Sequence, residues 1–345
     1  MRKISELSSS EEERALDLHQ KTIVINACDS TYALKPAYCM TDEYVNEMLQ
    51  AGVTAGVGTL TYHPTQGFRF AIDYMSDTYV YRYRDSKLKV AYKVEDIKKA
   101  KKEGRTLLIV GTQNAAPIES DIGLLWILHA LGLRVLGLTY NYRNLVGDGC
   151  LEKANSGLSG YGKQVIEEMH KLGIVMDLTH VGEKTSLEAM EVSNDPVVFT
   201  HSCALALRKH WRNITDEQIK ACAETGGVIG IPTLPLIVKD PNVPGPATME
   251  HVLDHFDYIS KLVGVDHVGF GLDVSAGLSK PVENPSKIPE LQAEMDKAPP
   301  APPILKSMNN IRDIAKGLVA RGYSDQEITK ILGGNLLRVF ERVWK

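Results

Sequence analysis

Eight short apolar runs alternate with helix-like segments along the 345-residue chain, and this alternation predicts an α/β fold, a (β/α)8 TIM barrel. An open doubly wound sheet would give much the same alternation. Polar residues favour the barrel, because they stand at the carboxyl ends of several different runs, and only a closed barrel brings those ends around one centre. No internal linker divides the chain, so we expect a single domain over residues 1–345.

The predicted elements follow in order from apolar periodicity and helix-capping residues. The predicted strands span residues 22–28, 52–62, 106–111, 134–140, 176–180, 196–199, 227–231 and 267–272. The predicted helices span residues 8–20, 41–50, 67–85, 94–103, 121–131, 158–172 and 249–262, with another after the capping-box pattern at 215–218. A segment rich in Pro, Lys and Glu, at about 276–305, predicts an insertion over the barrel mouth, and two helices are expected within 306–345.

Composition excludes several classes of function. The net charge of -4 gives no basic surface for nucleic acid, and no run of about 18 apolar residues could span a membrane. The five cysteines have no CxxC spacing, and their odd number argues against a disulfide framework. The first residues lack the apolar stretch of a signal peptide, so we expect a cytoplasmic protein with reduced thiols.

Two successive predicted strands end in histidines, His180 and His201. The carboxyl ends of parallel strands lie on one face of a sheet, so both imidazoles are expected to reach one cavity, where they suit a divalent metal. Each histidine could instead cap its strand through a local hydrogen bond. Two of them on successive strands favour the metal site.

A third ligand is needed, because a catalytic zinc usually takes three protein ligands and a water, whose pKa it lowers toward about 7. Asp29, Asp273 and the amide oxygen of Gln113 are the candidates, and each stands at the end of a predicted strand. Asp273 could alternatively carry protons between the water and the leaving group, or cap the loop that follows it.

The predicted substrate-binding residues are Arg212, Tyr140 and Asn141. Arg212 has a planar cationic fork that suits a substrate carboxylate, although a structural ion pair is the alternative. Tyr140 could donate a hydrogen bond to a developing oxyanion, or simply pack. The loop that begins at Asn141 is long enough to be functional. Tyr140 and Asp273 are therefore the predicted catalytic residues.

These residues lie in segments that resemble the membrane (renal) dipeptidase family, peptidase family M19 of the amidohydrolase superfamily. The specific combination consists of the DLTH sequence at 177–180, the THS sequence at 200–202 and the Arg212-Asn213 pair. The likeness spans roughly residues 106–340. The resemblance implies a TIM barrel in which two bridged zinc ions hydrolyse dipeptides. It also implies that His180 and His201 bind the second metal, Arg212 the substrate carboxylate, and Asp273 the amino group and a proton.

The chain departs from this family at three positions. The HxD motif of the first strand reads Ala27-Cys28-Asp29, the bridging glutamate is matched by Gln113, and a substrate-contacting histidine is matched by Tyr140. The patterns QNxxPIE and LTYN resemble those of a divergent bacterial subgroup. Loss of the anionic bridge removes what lets two cations lie close together, so we expect zero or one zinc ion per chain and not two, held by His180 and His201 with Gln113 or Asp29.

The leading functional prediction is a dipeptidase-like, zinc-dependent hydrolase that cleaves an amide or related bond in a small carboxylate-bearing molecule. One alternative is a metal-dependent lyase or decarboxylase of a small acid, and another is a non-catalytic homologue that binds a small molecule. A small-molecule substrate is the expected partner, with no nucleic acid and no membrane. The resemblance also implies a homodimer, since members of the family are often dimers.

Overall fold

The strands form one parallel sheet that closes on itself, which confirms the predicted barrel. A computed structural model describes residues 2–31, 41–83, 88–274 and 303–345. The strands in these ranges are β1 (Ile25–Asp29), β2 (Ala55–Thr59), β3 (Leu88–Val90), β4 (Thr106–Thr112), β5 (Leu133–Gly137), β6 (Val175–Asp177), β7 (Val198–Phe199), β8 (Val228–Ile231) and β9 (Val268–Phe270). The order around the sheet is β1-β2-β4-β5-β6-β7-β8-β9. Asp29 pairs in parallel with Val274, just after β9, so the ring returns to its first strand.

The short strand β3 was not predicted from the sequence. It pairs with the first half of β4, where Leu88 lies opposite Thr106, whereas β5 pairs with the second half, where Leu133 lies opposite Val110. Three residues are too few for a periodic pattern to show. Strands β6 and β7 are shorter than expected, because the chain leaves the ladder early and its following residues form the barrel mouth.

Helices pack around the barrel and also close its amino-terminal end. They are α1 (Ser9–Lys21), α2 (Asp42–Gln50), α3 (Phe68–Tyr83), α4 (Val94–Glu103), α5 (Gly123–Ala130), α6 (Gly160–Leu172), α7 (Glu183–Glu191), α8 (Asp216–Glu224), α9 (Pro235–Val238), α10 (Met249–Val263), α11 (Arg312–Ala320), α12 (Asp325–Thr329) and α13 (Asn335–Val343). The capping boxes expected before α8 and α12 are present, with Thr215 paired to Gln218 and Ser324 paired to Glu327.

Two apolar clusters account for the core. The larger one lies between the outward faces of the strands and the surrounding helices. The smaller one combines inward side chains such as Val57 and Ile109 with Val339 and Phe340 of α13. Asn335 at the start of α13 donates to the carbonyl oxygen of Val268 at 2.8 Å, so this helix lies at the amino ends of the strands. The polar interior is thereby confined to the carboxyl ends, where a barrel carries its active site.

The insertion predicted at about 276–305 lies almost wholly outside the described residues, which resume at residue 303. Within the described ranges, no helix combines the length and the apolar character needed to cross a bilayer.

Candidate active site

His180 and His201 lie side by side at the carboxyl ends of β6 and β7. Their Nε2 atoms are 3.2 Å apart, and both rings are buried. The backbone of His180 has a φ of 67°, a left-handed conformation that a non-glycine residue adopts only at a cost of about 1–3 kcal/mol. The sharp turn leads the chain out of the strand direction and helps to aim this ring at its neighbour.

The other ring nitrogens are fixed by hydrogen bonds. Nδ1 of His180 lies 2.6 Å from Oδ1 of Asn141, and Nδ1 of His201 lies 2.8 Å from Oγ1 of Thr200. The Thr200 hydroxyl donates in turn to Asp177 Oδ2 at 2.5 Å. Both Nδ1 atoms therefore carry the proton, and both Nε2 atoms are unprotonated acceptors.

Asp177 is the acidic end of this chain of hydrogen bonds. Its Oδ1 accepts from the backbone N–H groups of Thr179 and Thr200 at 2.9 and 3.0 Å. Burial raises the pKa of Asp177, and these donors oppose the rise. Because every contact uses the carboxyl group as an acceptor, Asp177 orients Thr200 and, through it, the ring of His201.

Arg212 places a positive charge against the histidine pair. Its Nη2 lies 3.1 Å from Nε2 of His180 and donates to the carbonyl oxygen of His201 at 3.1 Å. Burial lowers the pKa of both His180 and His201 well below the usual value, and the charge of Arg212 lowers it further. The imidazoles are therefore neutral, which is the form that binds metals.

Asp273 and Cys28 approach the pair from the closing strand and the first strand. A carboxylate oxygen of Asp273, Sγ of Cys28 and a ring nitrogen of His201 form a group whose ligand atoms all lie within 4.8 Å of one another. The thiol is 3.8 Å from Asp273 Oδ1, which also accepts from the Ser30 hydroxyl at 3.0 Å. Burial raises the pKa of Asp273, and burial and then the nearby Asp273 raise the pKa of the Cys28 thiol.

A bulge in β1 turns Cys28 inward and Asp29 outward. Asn26 lies opposite Gly56, and Asp29 lies opposite Gly58, so two residues of β1 face a single residue of β2. The carboxylate of Asp29 accepts from the hydroxyl of Tyr44 on α2 at 2.8 Å and from the backbone of Thr31 at 2.9 Å. Asp29 is thus directed at the helix layer and away from the histidines, contrary to its predicted place as a ligand.

Gln113 reaches the same interior through its amide nitrogen. Nε2 donates to Thr59 Oγ1 at 2.8 Å and to the sulfur of Cys28 at 3.4 Å. The amide oxygen of Gln113 is one of the ligands that the sequence predicts for the metal, whereas these two contacts use the amide N–H groups. Gln113 therefore supports Cys28 in this arrangement.

Tyr140 and Asn141 flank His180 at the end of β5. The Tyr140 ring lies 4.0 Å from the His180 ring, centroid to centroid, and burial raises its pKa, so the phenol stays protonated. Asn141, with a φ of 60°, uses its side-chain oxygen to hold His180. Its predicted contact with substrate remains a prediction, and the structure gives it a positioning role.

An open cavity of about 400 Å³ lies beside His180 and Arg212, and its wall does not include His201. His180, Arg212, Cys150, Trp211 and Lys209 contribute to its wall. The volume suits a small ligand, and the wall carries two cationic side chains, Lys209 and Arg212, and two acidic ones, Glu152 and Glu183.

A model of the membrane dipeptidase family, peptidase family M19, matches residues 68–299. The chain belongs to this family. The match covers more than half of the sequence and includes every predicted site residue except Asp29.

Individual relatives agree with this assignment. Dipeptidase tcpJ of Claviceps purpurea (strain 20.1) is 30% identical over 260 residues, which are 74% of this chain and 56% of that protein, so this chain spans little more than half of the relative's length. The crystal structure of an amidohydrolase from Pseudomonas aeruginosa superposes with a TM-score of 0.80 at 28% identity, covering 96% of this chain and 99% of that one. A metallo peptidase from Rhodobacter sphaeroides, liganded with a phosphinate mimic of the dipeptide L-Ala-D-Ala, has a TM-score of 0.78 and covers 94% of this chain and all of its own. At 22% identity that likeness bears on the fold alone.

Membership of a metallopeptidase family implies a metal ion, typically zinc, and the histidine pair fits one. Two nitrogens bound at about 2.0–2.1 Å to one tetrahedral zinc lie about 3.3–3.4 Å apart, close to the 3.2 Å between the Nε2 atoms. In this structure the lone pair of His180 Nε2 accepts from Arg212 Nη2, and the two Nε2 atoms remain 3.2 Å apart. His180 and His201 are therefore suited to hold one divalent ion in this member of the family.

The structure shows three site residues that the sequence reasoning missed: Cys28, Asp177 and Thr200. Asp177 and Thr200 begin the DLTH and THS sequences, so their positions beside the histidines were a usable signal. Cys28 gave no comparable signal, because its inward orientation depends on the bulge in β1.

Proposed function

We propose that this protein is a dipeptidase-like hydrolase with a single metal ion, zinc, which cleaves an amide or related bond in a small carboxylate-bearing molecule. The observation that carries the proposal is the pair of neutral imidazoles, His180 and His201, whose Nε2 atoms lie 3.2 Å apart beside a buried arginine. The altered residues Ala27 and Gln113, and the outward direction of Asp29, support one ion instead of two.

His180 and His201 would hold the ion, which supplies Lewis acidity to a carbonyl and lowers the pKa of a water. Asn141 and Thr200 keep both rings in the tautomer that binds. Such outer hydrogen bonds typically change metal affinity by about 10–100-fold when they are lost.

Arg212 would bind the substrate carboxylate. Its guanidinium borders the 400 Å³ cavity and is held in place by the carbonyl oxygen of His201. Nε2 of His180 has one lone pair, so Arg212 gives up its bond to this atom when the nitrogen binds an ion, and is then available to the substrate. Lys209 on the same wall adds a second positive charge, and Glu152 and Glu183 add two negative ones.

Asp273 and Tyr140 would act on the reacting bond. The carboxyl group of Asp273 carries a proton from the attacking water to the leaving amine, since it lies within 4.8 Å of the ring of His201. Tyr140, packed on His180, donates a hydrogen bond to the oxygen that gains negative charge in the transition state.

The test combines elemental analysis with a dipeptide assay on protein purified without chelator. We expect no more than one equivalent of zinc in the wild type, and loss of both zinc and hydrolysis in His180→Ala and in His201→Ala. His63→Ala is the matched control, because the hydrogen bonds of its ring among the described residues are with the nearby Thr65, and it should leave both readouts unchanged.

Hydrolysis that persists in His201→Ala would contradict the proposal. Zinc-loaded wild type that cleaves no member of a broad dipeptide panel would also contradict it. Two equivalents of tightly bound zinc would overturn the single-ion arrangement.

A further inference from the structure

We propose that Cys28 is a ligand of the metal ion, binding as a thiolate together with His201, so that the site selects a thiophilic divalent cation such as zinc or cadmium. This inference rests on the metal site of the proposed function and names a ligand that the family pattern does not contain. It follows from three independent features of the first strand and its neighbours.

The first feature is the bulge in β1. It places one extra residue between the pairs Asn26–Gly56 and Asp29–Gly58, and this shifts the side chains that follow to the opposite faces. Asp29 is the aspartate of the family's HxD motif, but here it accepts a hydrogen bond from the hydroxyl of Tyr44 on the helix side. Cys28 occupies the inward position in its place.

The second feature is the distance between donor atoms. Sγ of Cys28 lies within 4.8 Å of both a ring nitrogen of His201 and a carboxylate oxygen of Asp273. His201 is in turn 3.2 Å from His180, nitrogen to nitrogen. A thiolate and two imidazoles form one of the ligand sets that catalytic zinc sites use, with the fourth position left open. Among the described residues, the donors that are mutually within 4.8 Å are those of Cys28, His201 and Asp273, and His180 joins this group through its contact with His201. Asp273 then remains beside the open position as the proton carrier.

The third feature is the contact between Gln113 and the sulfur. The amide Nε2 donates to Sγ of Cys28 at 3.4 Å while Thr59 anchors it at 2.8 Å. An N–H donor stabilises a thiolate, whereas a glutamate at this position would place a second negative charge beside it. The glutamine and the cysteine are therefore a matched pair: the thiolate restores the negative charge that the change to glutamine removes.

The binding step balances without any further reactant. The S–H proton leaves to solvent as the sulfur–metal bond forms, and no oxidation occurs. The neutral imidazole of His201 binds through its lone pair and loses no proton.

Cobalt(II) is the probe, because a thiolate ligand gives it a charge-transfer absorption that nitrogen and oxygen ligands do not. We expect the cobalt-loaded wild type to show this near-ultraviolet band, Cys28→Ser and Cys28→Ala to lose it, and cadmium affinity to fall at least tenfold in both variants. Cys222→Ser is the matched control, since its buried sulfur contacts the carbonyl oxygen of Val197 and should leave the band intact.

X-ray absorption of the zinc-loaded wild type needs no variant and guards against misfolding of the Cys28 changes. One sulfur at about 2.3 Å from zinc is expected. A shell of nitrogen and oxygen only, a band that survives in Cys28→Ser, or a wild type that binds no metal would each overturn the inference.

The inference and the proposed function fail separately. If the metal has only nitrogen and oxygen ligands and the protein cleaves dipeptides, Cys28 is not a ligand and the proposed hydrolase function stands. If the metal has a sulfur ligand and the protein cleaves no dipeptide, Cys28 stands as a ligand and the proposed hydrolase function fails.

Discussion

Asn141 holds His180 through a 2.6 Å hydrogen bond between the amide oxygen and Nδ1 of the ring. This contact fixes the orientation of the His180 ring, so that its Nε2 faces His201. It joins a residue at the end of β5 to one at the end of β6, and both have a left-handed backbone.

Asn141→Gly removes the amide and keeps a residue that tolerates the positive φ, so the expected loss is specific to the hydrogen bond. We expect metal affinity to fall by about 10–100-fold, because the ring loses its fixed tautomer and orientation. Competition with a chromophoric chelator measures the change. Asn155→Gly is the control, since Asn155 also has a positive φ but accepts from the backbone of Lys184. Equal losses in the two variants would contradict the positioning role.

Thr200→Val breaks the link between Asp177 and His201 with little change in shape. We expect the free energy of unfolding of the metal-free protein to fall by about 1–3 kcal/mol, because the buried Asp177 carboxyl and the His201 ring each lose a partner. Urea denaturation measures it. In the control, Thr61→Val, the hydroxyl is buried and makes no hydrogen bond within the described part of the chain, so stability should stay within about 0.5 kcal/mol or rise. A Thr200 variant as stable as this control would show that the link contributes nothing.

Asp29→Asn should leave metal binding intact. The amide can still accept from Thr31 and contact the hydroxyl of Tyr44, and the side chain faces the helix layer. The zinc content of Asp29→Asn is compared with that of His201→Ala. We expect a full equivalent of zinc in Asp29→Asn and none in His201→Ala. Loss of zinc from Asp29→Asn, in a variant whose thermal unfolding matches the wild type, would return Asp29 to the ligand set.

His255 should make stability depend on pH. Its Nδ1 accepts from the backbone N–H of Ala204, and its Nε2 lies 3.1 Å from the carbonyl oxygen of Val238, so a second proton would oppose the Ala204 contact. Burial lowers its pKa from 6.5 to about 4. As the pH falls from about 6.5 to about 4 the unfolded chain binds a proton here and the folded protein does not, so stability present above pH 6.5 is lost across this window.

His255→Gln should remove that part of the pH dependence. Relative to wild type, we expect the variant to lose about 1.4 kcal/mol less unfolding free energy per pH unit between pH 6 and pH 4.5. Urea denaturation at several pH values measures it, and the two proteins should run parallel between pH 7.5 and pH 8.5. Parallel curves below pH 6 as well would contradict a neutral, buried His255.

The barrel fold and the proximity of His180 and His201 could both be predicted from the sequence. Each apolar run has the length and composition of a buried parallel strand, and His180 and His201 stand where two such runs end. In a parallel barrel the carboxyl ends of all strands lie at the same end, so both histidines are expected there. Capping residues such as Ser324 located helix starts equally well, because the cap is a local interaction.

The first strand shows what sequence reasoning could not reach. Whether Cys28 or Asp29 faces the interior depends on the register against β2, and one extra residue exchanges them. No local pattern encodes that slip, since Ala27, Cys28 and Asp29 all belong to a buried run. The same limit hid the contact of Gln113, whose partner Cys28 is distant in sequence.

The left-handed backbone at Asn141, His180 and Asp273 constrains any attempt to redesign this protein by randomising the mouth of its barrel. Libraries at these three positions would be dominated by glycine, asparagine and aspartate, whatever reaction is selected. New specificity would have to come from positions such as Trp211 and Lys209, which border the cavity beside His180 and do not have the left-handed backbone.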